Sequence, residues 1–120
     1  MIKDFDEVCN KCSKITAEQY STSFSRAIKL LHRDLRSPIY SIYGFVRFAD
    51  EIVDTFHQYN KQELLREFKS ATYKALNEGI SLNPVLYSFQ HTASKYNIEH
   101  RLIDAFFNSM EQDLVSTKHS

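Results

Sequence analysis

The sequence predicts an all-α protein, on the evidence of its composition, its apolar periodicity and its helix-capping motifs. The 120 residues include only two Gly and two Pro, and so few turn residues leave little room for β-hairpins. Apolar residues recur at steps of three and four, the spacing of one helix face. Asn60 with Glu63 has the form of a capping box at a helix start. We therefore expect residues 1–120 to form a single helical unit without an internal linker or repeat.

The N-terminal part is expected to contain separate helical segments. Apolar residues at helical spacing predict a first helix from about Phe5 to Ile15. Thr16, followed three residues later by Gln19, has the form of a capping box and predicts a new helical start at Ala17. After a hydroxyl-rich run, the helical pattern resumes from Ala27 to His32.

A longer helix is predicted to begin at Pro38. Ser37 is suited to the N-cap position, and Pro38 to the first position of the helix. The apolar residues that follow are spaced three and four apart as far as about His57, which predicts a packing seam. Its members are Ile39, Ile42, Val46, Ala49, Val53 and Phe56.

Three further helices are predicted in the C-terminal half. The capping box at Asn60 and a C-terminal Gly79 bound the first of them. Asn83 and Pro84 have the residue types of a second helix start. A last amphipathic helix follows, and its tail from Ser116 to Ser120 is expected to fray.

Charge and hydropathy exclude several classes of protein. The 15 basic and 15 acidic residues balance, so the sequence lacks the basic surplus of a nucleic-acid-binding domain and no nucleic-acid partner is expected. No apolar run is long enough to span a bilayer, and the N-terminus does not have the pattern of a signal peptide. We expect a cytoplasmic protein, and the sequence leaves peripheral contact with a membrane open.

The two cysteines do not predict a metal centre. Cys9 and Cys12 have two residues between them, as in half of a zinc site, but no second pair completes the site. We interpret them as reduced thiols on one face of a helix.

The long helix carries a polar stripe with the chemistry of a diphosphate site. Tyr43, Arg47, Asp50 and Asp54 are spaced four, three and four residues apart, so they fall within about 60° of one another on a helix. Two carboxylates one turn apart repel each other, and a divalent cation would relieve that repulsion. Hard oxygen ligands favour Mg²⁺, which retains waters and takes further oxygens from phosphates. Arg47 adds donors for phosphate oxygens.

The alternative is a solvated helix face with ordinary ion pairs among the same residues. Aromatic residues surround the stripe on the helix and leave no clearly solvent-facing side, which favours the binding site. These residues are Tyr40, Tyr43, Phe45, Phe48 and Phe56.

Three sequence elements resemble those of the squalene/phytoene synthases, the head-to-head isoprenyl diphosphate synthases. The run YGFVRFADEIVD over residues 43–54 resembles the first aspartate-rich motif of that family. Upstream, the run YSTSF over residues 20–24 resembles its Ser-x-Ser-Phe element. Downstream, the run SMEQDL over residues 109–114 is similar to the Gly-Met-x-x-Asp-Leu element of phytoene synthases. The order of the elements matches, and they extend over most of the chain.

The resemblance implies an all-α isoprenoid synthase fold, with this chain corresponding to its N-terminal portion. It implies that Asp50 and Asp54 bind Mg²⁺ and that Arg47 contacts the diphosphate of a farnesyl or geranylgeranyl substrate. Tyr43 would line the site near the reacting carbons. Glu51 occupies a position where many relatives have a further aspartate, which leaves its role as a ligand less certain.

The upstream element has its own implied role. Ser21, Ser23 and Phe24 would form a flap over the diphosphate. The resemblance also implies that diphosphate leaves to give an allylic cation. The double bond of a second prenyl diphosphate then attacks this cation, and a cyclopropyl intermediate forms and rearranges.

Several functions remain open from the sequence alone. The downstream element favours a bacterial phytoene synthase of carotenoid biosynthesis over a squalene or dehydrosqualene synthase. The other candidates are a head-to-tail prenyl synthase or terpene cyclase, a non-catalytic assembly protein with the same fold, and a helical bundle without a ligand. The second aspartate-rich motif of the family is not found in this sequence. We expect apolar faces meant for further helices to be exposed and to favour homo-oligomers.

The missing motif leads to a first prediction. The 120-residue chain alone should not condense two farnesyl or geranylgeranyl diphosphates, because half of the expected metal ligands are absent from it. Incubation with labelled substrate and Mg²⁺, followed by extraction of apolar products, measures this directly. A condensed C30 or C40 hydrocarbon would show the prediction to be wrong.

Overall fold

The computed structural model describes residues 2–119, with side chains from residue 2 to residue 115. In this part of the chain there are six helices and no strand, which confirms the all-α prediction. The last helix continues to His119, so the fraying expected from Ser116 is not seen up to that point, and Ser120 lies outside the described residues. The helices are α1 (Ile2–Tyr20), α2 (Thr22–Ile28), α3 (Arg33–Asp54), α4 (Lys61–Glu78), α5 (Pro84–Lys95) and α6 (His100–His119).

The N-terminal residues form one continuous helix, so the predicted break at Ala17 is wrong. The Thr16 hydroxyl donates a hydrogen bond to the carbonyl of Cys12 at 2.8 Å, within α1, and does not cap a new helix. Ser13 and Ala17 are fully buried. A Cβ placed on Gly44 would lie 3.4 Å from the Ser13 hydroxyl oxygen. This close approach holds α1 against α3, and tertiary packing therefore overrides the local capping signal.

Helix α2 is short and ends before the predicted boundary. Ser21 is its N-cap, and the Ser21 side-chain oxygen accepts a hydrogen bond from the backbone N–H of Phe24 at 3.0 Å. Beyond Ile28 the chain turns, so Leu30 and Leu31 are exposed and do not extend a buried helical face.

Helix α3 begins at Arg33, earlier than predicted. His32 is the N-cap, and its ring nitrogen accepts a hydrogen bond from the Asp34 N–H at 3.2 Å. Ser37 is therefore not the cap, and Pro38 lies inside the helix. Pro38 is the sixth residue of α3, so the helix lacks the backbone hydrogen bond that this position would otherwise donate to the carbonyl of Asp34.

The buried face of α3 is wider than the predicted seam, and the helix ends at Asp54 instead of about His57. Phe56 lies beyond the helix and is 37% exposed, so it does not extend the seam. The buried residues of α3 are Tyr40, Ser41, Gly44, Phe45, Ala49, Ile52 and Val53.

The capping predictions for the next two helices are confirmed. The Asn60 side chain accepts a hydrogen bond from the Glu63 N–H at the start of α4. Gly79 ends α4 with φ of 73°, a left-handed conformation that favours glycine. Asn83 caps α5, with Pro84 as the first helical residue.

Helix α3 packs mainly against α1, α4, α5 and α6, and α2 also contacts it through Phe24 and Tyr43. The main core surrounds Phe45 of α3, whose ring stacks 3.9 Å from Phe89 and also contacts Phe68 and Phe107. A smaller apolar cluster lies beneath α2 and contains Ala17, Ile28 and Tyr40.

Polar side chains join α1 to α5. The Tyr87 hydroxyl donates to a carboxylate oxygen of Asp6 at 2.5 Å, and this bond, with burial, raises the pKa of Tyr87 to about 12. The Ser88 hydroxyl donates to the side-chain oxygen of Asn10 at 3.2 Å and also pairs with the Ser41 hydroxyl of α3. Directional bonds of this kind fix how α1 lies along its neighbours.

Among the described residues, no helix has both the length and the apolar character needed to cross a bilayer.

The packing of Phe45 gives a second prediction. Phe45→Ala should lower the free energy of unfolding by about 3–5 kcal/mol, because it removes a buried ring and leaves a cavity. Phe48→Ala is the matched control, since Phe48 is on the same helix and 36% exposed, and it should cost much less. Urea unfolding followed by circular dichroism measures both values, and equal losses would contradict the prediction.

Candidate diphosphate-binding site

The four stripe residues line one face of α3, and their burial decreases along it. Tyr43, Arg47 and Asp50 are half-buried, whereas Asp54 is exposed. The expectation that the aromatic neighbours leave no solvent-facing side is therefore wrong at the C-terminal end of the helix. The stripe is flanked by α1 and α2 on one side, and Asp113 of α6 is close enough to affect the pKa of Asp50.

Tyr43 is held by the upstream element. The rings of Phe24 and Tyr43 stack with their centroids 4.4 Å apart and their planes 26° from parallel. Both rings pack against the small apolar cluster beneath α2. The cap formed by Ser21 positions Phe24, because it fixes the first turn of α2.

Ser23 is exposed on the first turn of α2. The structure therefore brings Phe24 to the stripe and places Ser21 behind it as a cap. Whether Ser21 and Ser23 cover a bound diphosphate stays a prediction.

Arg47 lies between an aromatic ring and a carboxylate. Its guanidinium carbon is 4.4 Å from the centroid of the Tyr20 ring, a cation–π arrangement. Its Nε donates to Oε1 of Glu51 at 3.1 Å, and one terminal nitrogen donates to the same oxygen. The side chains of Arg47 and Glu51 are only 27% and 14% exposed.

The sequence placed Glu51 in doubt as a metal ligand and used Arg47 to offset Asp50, and an ion pair of Arg47 at i, i+4 was expected only under the alternative of a solvated helix face. The hydrogen bond from Arg47 lowers the pKa of Glu51, and the same bond raises the pKa of Arg47. Spacing of four residues on a helix was the available signal for the pair.

The pKa of Asp50 is raised, in contrast to that of Glu51. Burial raises its pKa most, and the negative charge of Asp54 raises it further. Arg47 partly counters these effects, but Asp113 and Glu51 add to them. The ionised form of Asp50 therefore lacks enough positive charge nearby.

Asp113 comes from the downstream element on α6, and its carboxylate is close enough to raise the pKa of Asp50. The sequence alone gave Asp113 no definite place in the site. The signal that could have found it is the shared family element, because no local spacing relates α3 to α6.

The donor set fits Mg²⁺. Two hard carboxylates one helical turn apart, with excess negative charge and an open side at Asp54, match an ion that keeps several waters and completes its shell with phosphate oxygens. Within residues 2–115, no group of three or more His, Cys, Asp or Glu side chains is arranged to hold a metal. The protein would therefore supply part of the coordination shell through Asp50 and Asp54.

An apolar groove borders the place where Arg47 lies between the Tyr20 ring and Glu51. Its volume is about 520 Å³, and it begins at Tyr20 and Glu51. It continues between α3, α4 and α5. The remaining lining residues are Phe48, Ile52, Phe56, Leu64, Glu67, Phe68, Ala71, Asn83 and Leu86.

The cysteines lie away from the stripe. Both are free; Cys9 is buried and Cys12 is partly buried on α1. Burial raises the pKa of Cys9 to about 11, so this thiol stays protonated near neutral pH and is unreactive.

The adjacent acids Asp50 and Glu51 give a third prediction, in which their amide variants shift the melting temperature in opposite directions. Because the folded pKa of Asp50 is raised, ionising it costs stability as the pH rises above 3.8. Asp50→Asn should therefore raise the melting temperature at neutral pH without added metal, and this gain should vanish below pH 3.8.

Glu51→Gln is the matched comparison. The folded pKa of Glu51 is lowered, so its stabilising contribution is present above 4.5 and is lost as the pH falls through the folded value. This variant should lower the melting temperature at neutral pH. Thermal unfolding across a pH series measures both, and shifts of the same sign would contradict this electrostatic account.

Comparison with known proteins identifies the family of the chain. The family model described as squalene/phytoene synthase matches residues 17–118, a range that contains all three sequence elements and every stripe residue. No curated protein and no solved structure matches the chain. The family joins two prenyl diphosphates head to head and generally uses Mg²⁺ to bind their diphosphates. The chain belongs to the squalene/phytoene synthase family, with the all-α fold of an isoprenoid synthase.

Proposed function

We propose that this chain binds the diphosphate of a farnesyl or geranylgeranyl diphosphate through Mg²⁺ held by Asp50 and Asp54. The observation that carries the proposal is the charge imbalance at Asp50. Burial and the neighbouring Asp54 raise the pKa of this carboxyl, so a cation bound there is stabilised by charges that are otherwise unfavourable. Asp54 is exposed and gives the ion access to solvent and substrate.

Arg47 would hold the diphosphate beside the metal. Glu51 engages its Nε and one terminal nitrogen, and guanidinium has further N–H donors on its other terminal nitrogen. The Tyr20 ring and Glu51 restrain the side chain before substrate arrives, so little conformational entropy is lost on binding. Its donors then stabilise the charge that develops on the departing diphosphate.

The aromatic rings of Tyr43 and Phe24 are suited to stabilising the carbocation that forms in the reaction. When the C–O bond breaks, the electron pair leaves with diphosphate and an allylic cation remains. Tyr43 of the stripe and Phe24 stack on each other, so one face of each ring is covered, and the outer faces of the pair would stabilise such a cation. Bound Mg²⁺ would supply charge neutralisation for the leaving group.

For the whole reaction we propose head-to-head condensation of the phytoene synthase type, with a role in carotenoid biosynthesis. Support for this subtype comes from residues 109–114, which resemble the phytoene synthase element. The chain alone would supply the first of two diphosphate sites.

The fourth prediction tests the site by binding. Calorimetric titration with a non-hydrolysable farnesyl thiodiphosphate should show binding with Mg²⁺ and loss of binding with a chelator. Asp50→Asn should weaken Mg²⁺-dependent binding by at least about tenfold, because even outer-shell changes at metal sites cost about that much. Arg47→Gln should weaken binding without removing its Mg²⁺ dependence.

Asp34→Asn is the control, since Asp34 lies at the other end of α3 with a side chain 87% exposed. It should bind as the unaltered chain does. Binding that is unaffected by the chelator, or equal losses in Asp34→Asn and Asp50→Asn, would contradict the proposed function.

A further inference from the structure

A second groove lies at the opposite end of α3 from the acids and is strongly basic. Its volume is about 260 Å³, and it is formed by α1, the turn after α2 and the start of α3. Five cationic side chains and no carboxylate line it. The lining residues are Asn10, Lys11, Lys14, Lys29, Arg33, Arg36, Ser37 and Tyr40.

Most of this positive charge is uncompensated. None of Lys11, Lys14, Lys29 and Arg33 forms an ion pair with a carboxylate in the part of the chain that the structure describes. Two acids lie at the edges of the groove. Glu18 of α1 adds to the effect of burial in raising the pKa of Tyr40, and Asp34 follows Arg33 in α3 and pairs with His32, so they offset only part of the positive charge. The even charge of the whole chain therefore hides a local basic surface.

Exposed leucines adjoin the basic groove. Leu30 is 88% exposed, Leu35 is 45% exposed and Leu31 is 39% exposed. They come from the turn between Lys29 and Arg33 and from the first turn of α3, so cations flank them in sequence. Large apolar side chains this exposed next to basic ones are typical of a surface with a partner.

The turn that exposes the leucines has a fixed shape. The backbone N–H groups of Leu30 and Leu31 donate to the carbonyls of Ala27 and Ile28 at 3.0 and 2.9 Å. The Arg36 guanidinium donates to the carbonyls of Lys29 and Leu31 at 3.0 and 3.2 Å. These bonds hold the leucines outward, so their exposure is a property of the fold.

We propose that this basic groove and the leucine turn form a contact surface for a membrane that carries anionic phospholipids. Phosphates of the headgroups occupy the groove, and Leu30 and Leu31 enter the interface between headgroups and acyl chains. Buried apolar area and attraction to anionic lipids together determine the strength of such peripheral binding. A free phosphate would account for the cations but not for the leucines.

This surface is separate from the proposed diphosphate site. Ser37 and Asp50 are 13 residues apart on α3, which is about 20 Å along the helix axis. Helix α2 packs over Tyr40 and Tyr43 between the two. If the proposed function holds, a membrane contact also places the chain where long prenyl tails partition.

Vesicle co-sedimentation tests the proposal. The chain should bind vesicles of phosphatidylglycerol and phosphatidylcholine in equal parts, more weakly as salt increases, and should not bind pure phosphatidylcholine. Lys29→Gln with Arg33→Gln should weaken binding by about tenfold or more, because each cation near an anionic surface contributes about fivefold. Leu30→Ser with Leu31→Ser should also weaken it.

Matched controls separate this surface from general charge and from the diphosphate site. Lys74→Gln with Lys95→Gln removes the same charge from exposed positions elsewhere and should leave vesicle binding unchanged. Asp50→Asn should also leave vesicle binding unchanged, even though we expect it to weaken prenyl diphosphate binding. Circular dichroism confirms that each variant is folded.

Three outcomes would overturn the proposal. Equal binding to neutral vesicles would show that headgroup charge is not recognised. Inorganic phosphate that shifts the nuclear magnetic resonance signals of Lys29 and Arg33, without any vesicle binding, would make the groove a site for free anions. Without vesicles, conversion of an oligomer to a monomer by Leu30→Ser with Leu31→Ser would make the turn an interface between copies of this chain.

Discussion

The packing of Phe45 determines which side of α3 is turned toward the core. Its ring stacks on Phe89 at 3.9 Å and meets Phe68 and Phe107, so helices α4, α5 and α6 all restrain one side of α3. Since side chains on a helix have fixed angular relations, this packing also sets the direction of the stripe. Arg47 and Asp50 lie on the far side of α3 from Phe45, and the core therefore orients the site without contributing to its chemistry.

Adjacent acids on α3 have opposite electrostatic roles because they meet different neighbours. Glu51 reaches Arg47, and the ion pair favours its charged form. Asp50 is one residue away, but the angular step of a helix turns it toward Asp54 and Asp113. Glu51 thus restrains Arg47, while the ionised form of Asp50 still lacks enough positive charge nearby. In such a site the hydrogen-bond donor, Arg47, is already in place, and Asp50 still attracts a cation.

The sequence was sufficient where structure depends on a few neighbouring residues. Asn60, Gly79 and Asn83 end or begin helices as predicted, because their side chains or backbone act within a few residues. Thr16 has the same local signal and failed, because contact with α3 through Ser13 keeps α1 continuous. Periodicity identified the stripe as one face of a helix. It could not identify the contact of Tyr20 with Arg47 or the approach of Asp113, since both join segments that are distant in sequence. The basic groove was not predicted either, because its residues come from segments that are distant in sequence. The net charge of the whole chain is zero and gave no sign of a local basic surface.

The charges on α3 oppose its dipole at both ends, which connects the two proposed sites. A helix carries partial positive charge at its N-terminus and partial negative charge at its C-terminus, so acids favour the first turn and bases the last. Here Arg33 and Arg36 lie at the N-terminal end, opposed only by Asp34, and the last turn contains Glu51 and Asp54 without any base of its own. The Lys61 ammonium, which donates to the carbonyl of Val53, is the cation that reaches this end from α4. Each end is consequently less stable than it would be with the signs exchanged. An anion at the start of the helix and a cation at its end would each relieve the unfavourable charge, and both ligands would stabilise the same helix on which the core is built.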